Sequence, residues 1–207
     1  MNFAKQWDEV GATDLDKNLI ATKEFEQEQY FNMSGIQSAS KLFDILYPIY
    51  GHELHNQVFL ELGCGVGRET RYFSDVFDKI VAVDVSKNMI DKAKNRVKGN
   101  IDWVICDGKT IPIEDNSVDI LYSFIVLQHC PQEVVSSYFL DIHRVLKPGG
   151  TFVFQLHTGD VHSEPDSYCS YSHWTMDEIR NELKGMHEVK LNDCGESMDL
   201  NVFTNGI

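Results

Sequence analysis

Val58-Phe-Leu-Glu61-Leu-Gly63-Cys64-Gly65-Val-Gly67-Arg-Glu-Thr70 is the stretch that decides the fold. Its first five residues are an apolar, β-prone run, and three glycines follow at alternate positions. Beyond them Phe73, Val76 and Phe77 share one face at helical spacing. A strand that feeds a glycine turn and then a helix is the opening of a βαβ unit. Glycine removes the side chains that would keep a ligand from the backbone, and open α/β sheets bind ligands at the carboxyl ends of their strands. The loop 63–67 therefore reads as a ligand loop.

Four more β-rich runs follow outward from it: Ile80–Val85, Ile101–Asp107, Val118–Ser123 and Thr151–Leu156. Turns or helical stretches separate them, which predicts a largely parallel sheet covered by helices on both faces. Val135, Tyr138, Phe139, Ile142, Val145 and Leu146 form one helical stripe, with a stop expected at Lys147-Pro148-Gly149-Gly150. Residues 1–50 read as a helical cap, with Leu42, Phe43, Ile45 and Leu46 ahead of Pro48. After the fifth run comes a long polar stretch ending at Trp174, then a helix opened by the capping box Thr175-x-x-Glu178. Strand-like runs near 187–191 and 197–204 complete the pattern.

The whole reads as one domain over 1–207, with a cap (1–50), a ligand-binding core (57–156) and a substrate-side segment (157–207). Its 207 residues and 43% hydrophobic content suit a globular fold with a substantial core. A formal net charge of −14 repels phosphate backbones and anionic membranes, and no basic patch offsets it, so neither nucleic acid nor membrane is an expected partner. No apolar run suits a leader or a membrane span, and the expected location is the cytoplasm. Five dispersed cysteines without a CxxC pair suggest reduced thiols, and His52 and His55 lack companions at ligand spacing, so no metal is expected.

Spacing narrows the ligand. A dinucleotide fingerprint would put its third glycine at position 68, which is Arg68, and nicotinamide cofactors are disfavoured. Asp84 closes the second run, where a carboxylate can accept from ribose hydroxyls. Asp107-Gly108 closes the third, where a carboxylate can accept from an exocyclic adenine amine and an amide can donate to a ring nitrogen. A ligand containing a nucleoside is the expectation.

Glu61-Leu-Gly63-Cys-Gly65-Val-Gly67, Val83-Asp84-Val-Ser86-Lys-Asn-Met89, Asp107-Gly108, VDILYSFIVLQHC and Leu146-Lys-Pro-Gly-Gly150 together resemble the class I S-adenosylmethionine-dependent methyltransferases, in particular small-molecule enzymes of the methyltransferase domain 11/25 type. The resemblance spans roughly residues 57–156. It implies a Rossmann-like three-layer fold whose seven-stranded sheet has the order 3-2-1-4-5-7-6, the last strand antiparallel. It implies S-adenosyl-L-methionine as methyl donor, leaving S-adenosyl-L-homocysteine. On that basis Glu61 orients the methionine end, while Gly63, Cys64, Gly65 and Gly67 approach the cofactor closely. Asp84 holds the ribose, Val85 beside it contacts the cofactor, Met89 packs on adenine, and Asp107 and Gly108 read its edge. Tyr122 and Ser123 lie near the methyl group.

The sulfonium is already a leaving group, so in-line positioning and exclusion of water are the main demands and a general base is optional. His129 is the candidate base. Candidate acceptor contacts are Tyr30, Phe31, His157, Tyr171, His173 and Trp174, in the two regions outside the core motifs. The expected activity is methyl transfer to a small-molecule acceptor. The alternative is a protein that binds the cofactor or its product without turnover, for instance as a partner subunit. Acceptor, methylated atom and oligomeric state are open at this level.

Overall fold

A computed structural model describes residues 3–13, 28–156, 174–189 and 200–206. The strands form a seven-stranded sheet of order β3-β2-β1-β4-β5-β7-β6, as the resemblance implied. The chain divides into two compact units, Met1–Asp107 and Gly108–Ile207.

The first unit opens with α1 (Phe3–Gly11) and the long α2 (Glu28–Tyr50). Along α2 the residues Phe31, Gly35, Ser38, Ala39, Leu42, Ile45 and Leu46 are buried, the three- and four-residue spacing of a helix laid on a core. The helix α2 runs through Pro48 to Tyr50. A proline in a last turn forfeits only one ladder bond, and a 3₁₀ turn, Gly51–Asn56, takes over directly. Next come β1 (Val58–Leu62), the single turn α3 (Thr70–Phe73), β2 (Lys79–Asp84), α4 (Lys87–Arg96) and β3 (Ile101–Ile105). The three strands pair in parallel, Leu62 with Val83 and Asp84 with Ile105, so β1 and β2 end side by side. Phe59, Phe73 and Phe77 fill the space beneath, with ring centroids 4.7 and 4.3 Å from Phe59.

The second unit contains β4 (Val118–Ser123), α5 (Gln132–Val145), β5 (Leu146–Gln155), α6 (Met176–Glu182), β6 (Met186–Glu188) and β7 (Leu200–Asn205). β4 and β5 are parallel; β7 runs antiparallel to β5 and to β6. The helix stops ahead of Lys147–Gly150 as expected, α5 ending at Val145, but Leu146, expected on the helical stripe, pairs with Val118 and opens β5, which runs on through Lys147–Gly150. Gly150 explains the pairing: a Cβ there would lie 2.9 Å from the Lys147 carbonyl oxygen and 3.1 Å from that of Asp119, so only glycine lets the strand irregularity between Val118 and Ile120 close. The Thr175–Glu178 capping box forms as predicted. Among the described residues no helix is long and apolar enough to cross a membrane.

Candidate functional site

In the first unit, the glycine loop is shaped by backbone contacts with the neighbouring strand. The N–H groups of Gly63 and Cys64 donate to the Val83 carbonyl at 2.7 and 3.0 Å, and Gly63, Gly65 and Gly67 all have positive φ. Gly67 is required twice over: its φ is +78°, and a Cβ would approach Val97 Cγ2 to 2.7 Å. Asp84, at the end of β2, accepts from Gly65 N–H at 2.8 Å through one carboxylate oxygen and from Ser86 N–H at 2.8 Å through the other. Burial raises its pKa, and these amides oppose the rise. A carboxylate offers about four acceptor directions, so one locked by two amides still presents oxygen to a hydroxyl.

Beneath the loop lies an ionic network. Glu61, 5% exposed, accepts from the Thr70 hydroxyl at 2.6 Å. Burial first, and the neighbouring negative charge of Glu69 second, push the Glu61 carboxyl well above the usual carboxylate range. Glu69 accepts from Arg68 at 2.7 Å and from Ser38 of α2 at 2.6 Å, and Arg68 also donates to Ser34 at 3.1 Å. Gly35 brings α2 against the loop so closely that a Cβ there would lie 2.6 Å from the Arg68 carbonyl oxygen. Sequence reasoning treated Arg68 only as a missing glycine and overlooked Glu69, Ser34 and Ser38. Their polar residues at three- and four-residue spacing on an otherwise apolar helix face were the available signal.

Helix α1 is tied to the β2–α4 turn. The Asp8 carboxylate accepts from Asn88 N–H and the Ser86 hydroxyl, each at 3.0 Å, and Ser86 caps α4 by accepting from Met89 N–H. The Asn88 amide holds Asp8 below its ordinary pKa. Val10, Phe31, Val66 and Met89 form one buried cluster, with Trp7 packed on it. Met89, expected on an adenine face, is thus enclosed by protein. Phe31, expected to meet the acceptor, is 2% exposed in the same cluster, with the Arg96 guanidinium over its ring, 5.3 Å from the centroid. Val85 is half-buried, Cys64 buried with its thiol pushed up by burial, Asp107 exposed, and Tyr30 exposed on α2.

In the second unit, Gly108 is buried with φ +80°. Tyr122 and Ser123, at the end of β4, are buried, and Phe124 stacks on Tyr122 with centroids 6.1 Å apart. Ile125 has φ +57°, a conformation that costs a β-branched residue about 1–3 kcal/mol, and its N–H donates to Gln155 Oε1 at 3.2 Å. His129 ends a 3₁₀ turn, half-buried, with Nε2 3.2 Å from Gln128 Nε2. Gln128 is 5% exposed and its Oε1 has no protein partner. Trp174, expected at the acceptor, is packed edge-on against Phe139, centroids 5.8 Å apart, and is core. His157, Tyr171 and His173 lie outside the described residues. Among the described residues no cluster has metal-ligand composition, and His55 Nδ1 bonds the His52 carbonyl.

Residues 60–154 match the family described as "Methyltransferase domain". The chain is 30% identical over 145 residues to the biotin biosynthesis bifunctional protein BioHC of Cellvibrio japonicus, covering 69% of this chain and 28% of that protein. It is 26% identical over 162 residues to the malonyl-[acyl-carrier protein] O-methyltransferase of Buchnera aphidicola, covering 74% and 63%. The matches thus span less than two thirds of the length of these relatives. In three dimensions it resembles magnesium protoporphyrin IX methyltransferase of Synechocystis PCC 6803, solved with bound S-adenosylhomocysteine, with TM-score 0.73 and 14% identity over 98% of both chains. Motifs, sheet order and sequence match agree: residues 60–154 carry a methyltransferase domain, on the Rossmann-like sheet of the class I S-adenosylmethionine-dependent methyltransferases.

Proposed function

We propose that the protein transfers the methyl group of S-adenosylmethionine to a small-molecule acceptor by in-line displacement at the methyl carbon. The observation that carries this reading is Asp84, whose two carboxylate oxygens are fixed by Gly65 and Ser86 amides at the carboxyl end of β2 while retaining acceptor capacity for ribose hydroxyls. The residues fit the group in two further respects. The glycine loop is held open to close backbone approach, and the buried Glu61 beneath it, whose proton is retained by burial and by the neighbouring Glu69, offers a carboxyl group to a polar ligand end.

When bound, the cofactor supplies a methyl group on a sulfonium that leaves as a neutral thioether. The protein's share is binding and orientation: Asp84 fixes the ribose, Glu61 faces the methionine end, and Asp107 and Gly108 read the base. The closed apolar surroundings of Tyr122 and Phe124 keep water from the reacting carbon. We assign His129 as the group that can take a proton from a hydroxyl or amine acceptor. The relatives named for malonyl-[acyl-carrier protein] point to a carboxylate acceptor, which needs no base.

Calorimetry tests the reading. Asp84→Ala is expected to weaken S-adenosylhomocysteine binding roughly ten- to a hundredfold, as for loss of charge-assisted hydrogen bonds; unchanged affinity in a folded variant overturns it. Incubation with methyl-labelled cofactor and metabolite extract is expected to yield a labelled small product. Binding without any labelled product supports a cofactor-binding role instead.

A further inference from the structure

Between Ile105 and Val118 the chain has neither helix nor strand, yet it opens with the Asp107-Gly108 turn proposed to read the base. Backbone groups in such a stretch need partners from elsewhere. From Ile111 onward they come from the last turn of α5, and above all from Arg144. Its Nη2 donates to the Ile111 carbonyl at 2.7 Å, and its Nη1 to the Ile113 carbonyl at 2.8 Å and to Asp115 at 2.6 Å. Asp141 steadies the guanidinium, accepting from Nε at 2.6 Å and from Nη2 at 3.1 Å, and also accepts from the Ile111 N–H. The N–H groups of Asn116 and Ser117 donate to the Arg144 and Val145 carbonyls, both at 2.9 Å. The segment 111–117 is thereby stapled to α5 at both ends, with Ile111 fully buried as its anchor.

We propose that Arg144 is a positioning residue for recognition of the cofactor's base: through Ile111 and Ile113 it fixes the turn from which Asp107 and Gly108 address the purine edge. The inference rests on the reading of that turn as the base site. Discrimination of one base edge requires a carboxylate and an amide to be held within about 0.5 Å of their working positions. On one side β2 holds the stretch, through the Cys106 N–H on the Asp84 carbonyl at 3.0 Å; on the other, the planar fork of one guanidinium holds it at Ile111, Ile113 and Asp115. Lysine, a point charge with three donors and no fork, cannot span the same set of acceptors.

The base edge itself provides the test. S-inosylhomocysteine differs from S-adenosylhomocysteine in presenting a carbonyl where adenine presents its amine, so the ratio of the two affinities reads the geometry of the turn and not overall foldedness. The wild-type protein is expected to prefer the adenine compound by at least roughly tenfold. In Arg144→Ala the adenine compound loses roughly tenfold while the inosine compound changes little, so the preference collapses; Arg144→Lys falls between. Arg180→Ala, which removes an exposed ion pair on α6, leaves the preference intact. If Arg144→Ala fails to fold, Asp115→Ala, which removes one exposed arm of the clamp, asks the same question with a smaller expected loss. A folded clamp variant with the full wild-type preference overturns the proposal. A wild-type protein with no preference overturns the base-site reading itself.

Discussion

The glycine loop of the first unit and the Phe124–Cys130 segment of the second follow carboxyl ends of strands, yet they are built on opposite plans. Around Gly63–Gly67 the shape is set by backbone donors, positive-φ glycines and buried carboxylates that find partners within the protein. After β4 a 3₁₀ turn is supplemented by side chains, Gln155 accepting from the Ile125 N–H. A β-branched residue sits at positive φ, and a buried glutamine oxygen lacks a protein partner. A surface shaped by main-chain donors depends little on which side chains surround it; one that relies on side chains can be altered residue by residue, and here it carries strain and unmet polar capacity.

Three measurements would break or sharpen that contrast. The largest effect is expected from Gly67→Ala, which combines left-handed strain with overlap against Val97 and should cost about 2–4 kcal/mol in urea unfolding. Gly51→Ala also has positive φ, but its Cβ would enter open space, so it should cost only about 1–2 kcal/mol. Equal losses would mean that the loop's tight packing contributes nothing.

The second effect depends on pH. Because the folded-state pKa of Glu61 is raised, the folded protein holds a proton that the unfolded chain releases. The Glu61 contribution to stability is therefore intact at and below its ordinary pKa and lost as pH climbs from there towards the raised value. In thermal melts without ligand, Glu61→Gln should abolish this decline, so that variant and wild type diverge as pH rises. Parallel curves would show that the Glu61 pKa is not raised in the folded protein.

The smallest effect is expected from Gln128→Met, an apolar replacement of similar length. Removing a buried oxygen that no protein group meets should change stability by less than about 1 kcal/mol. A loss above about 2 kcal/mol would show that Gln128 is structural and would weaken the contrast.

The fold was legible in the sequence because its signals are local and repeated: five β-rich runs, the glycine turn and the apolar stripe of α5. The boundary that departed was Leu146, expected at the end of the helical stripe, because pairing with Val118 of β4 draws it into the strand. On the cofactor side, Glu61, Asp84 and the glycines stood out because chemistry and position coincide within a few residues of each strand end. Asp8, Ser38 and Arg144 did not, since each acts on residues about thirty to eighty positions away and carries no local mark. Aromatic character misled for Phe31 and Trp174: composition shows that a ring exists, not whether its face is already taken.

The contact between Gly35 and Arg68 has a thermodynamic consequence. A loop rich in glycine ordinarily loses more conformational entropy on being ordered than any other, and a ligand that ordered it would bind more weakly for that reason. Because α2 presses against the loop backbone at a notch that only a hydrogen side chain permits, that freedom is surrendered when the protein folds. The ligand then meets a rigid surface, and its affinity is not diminished by the flexibility of the residues that receive it.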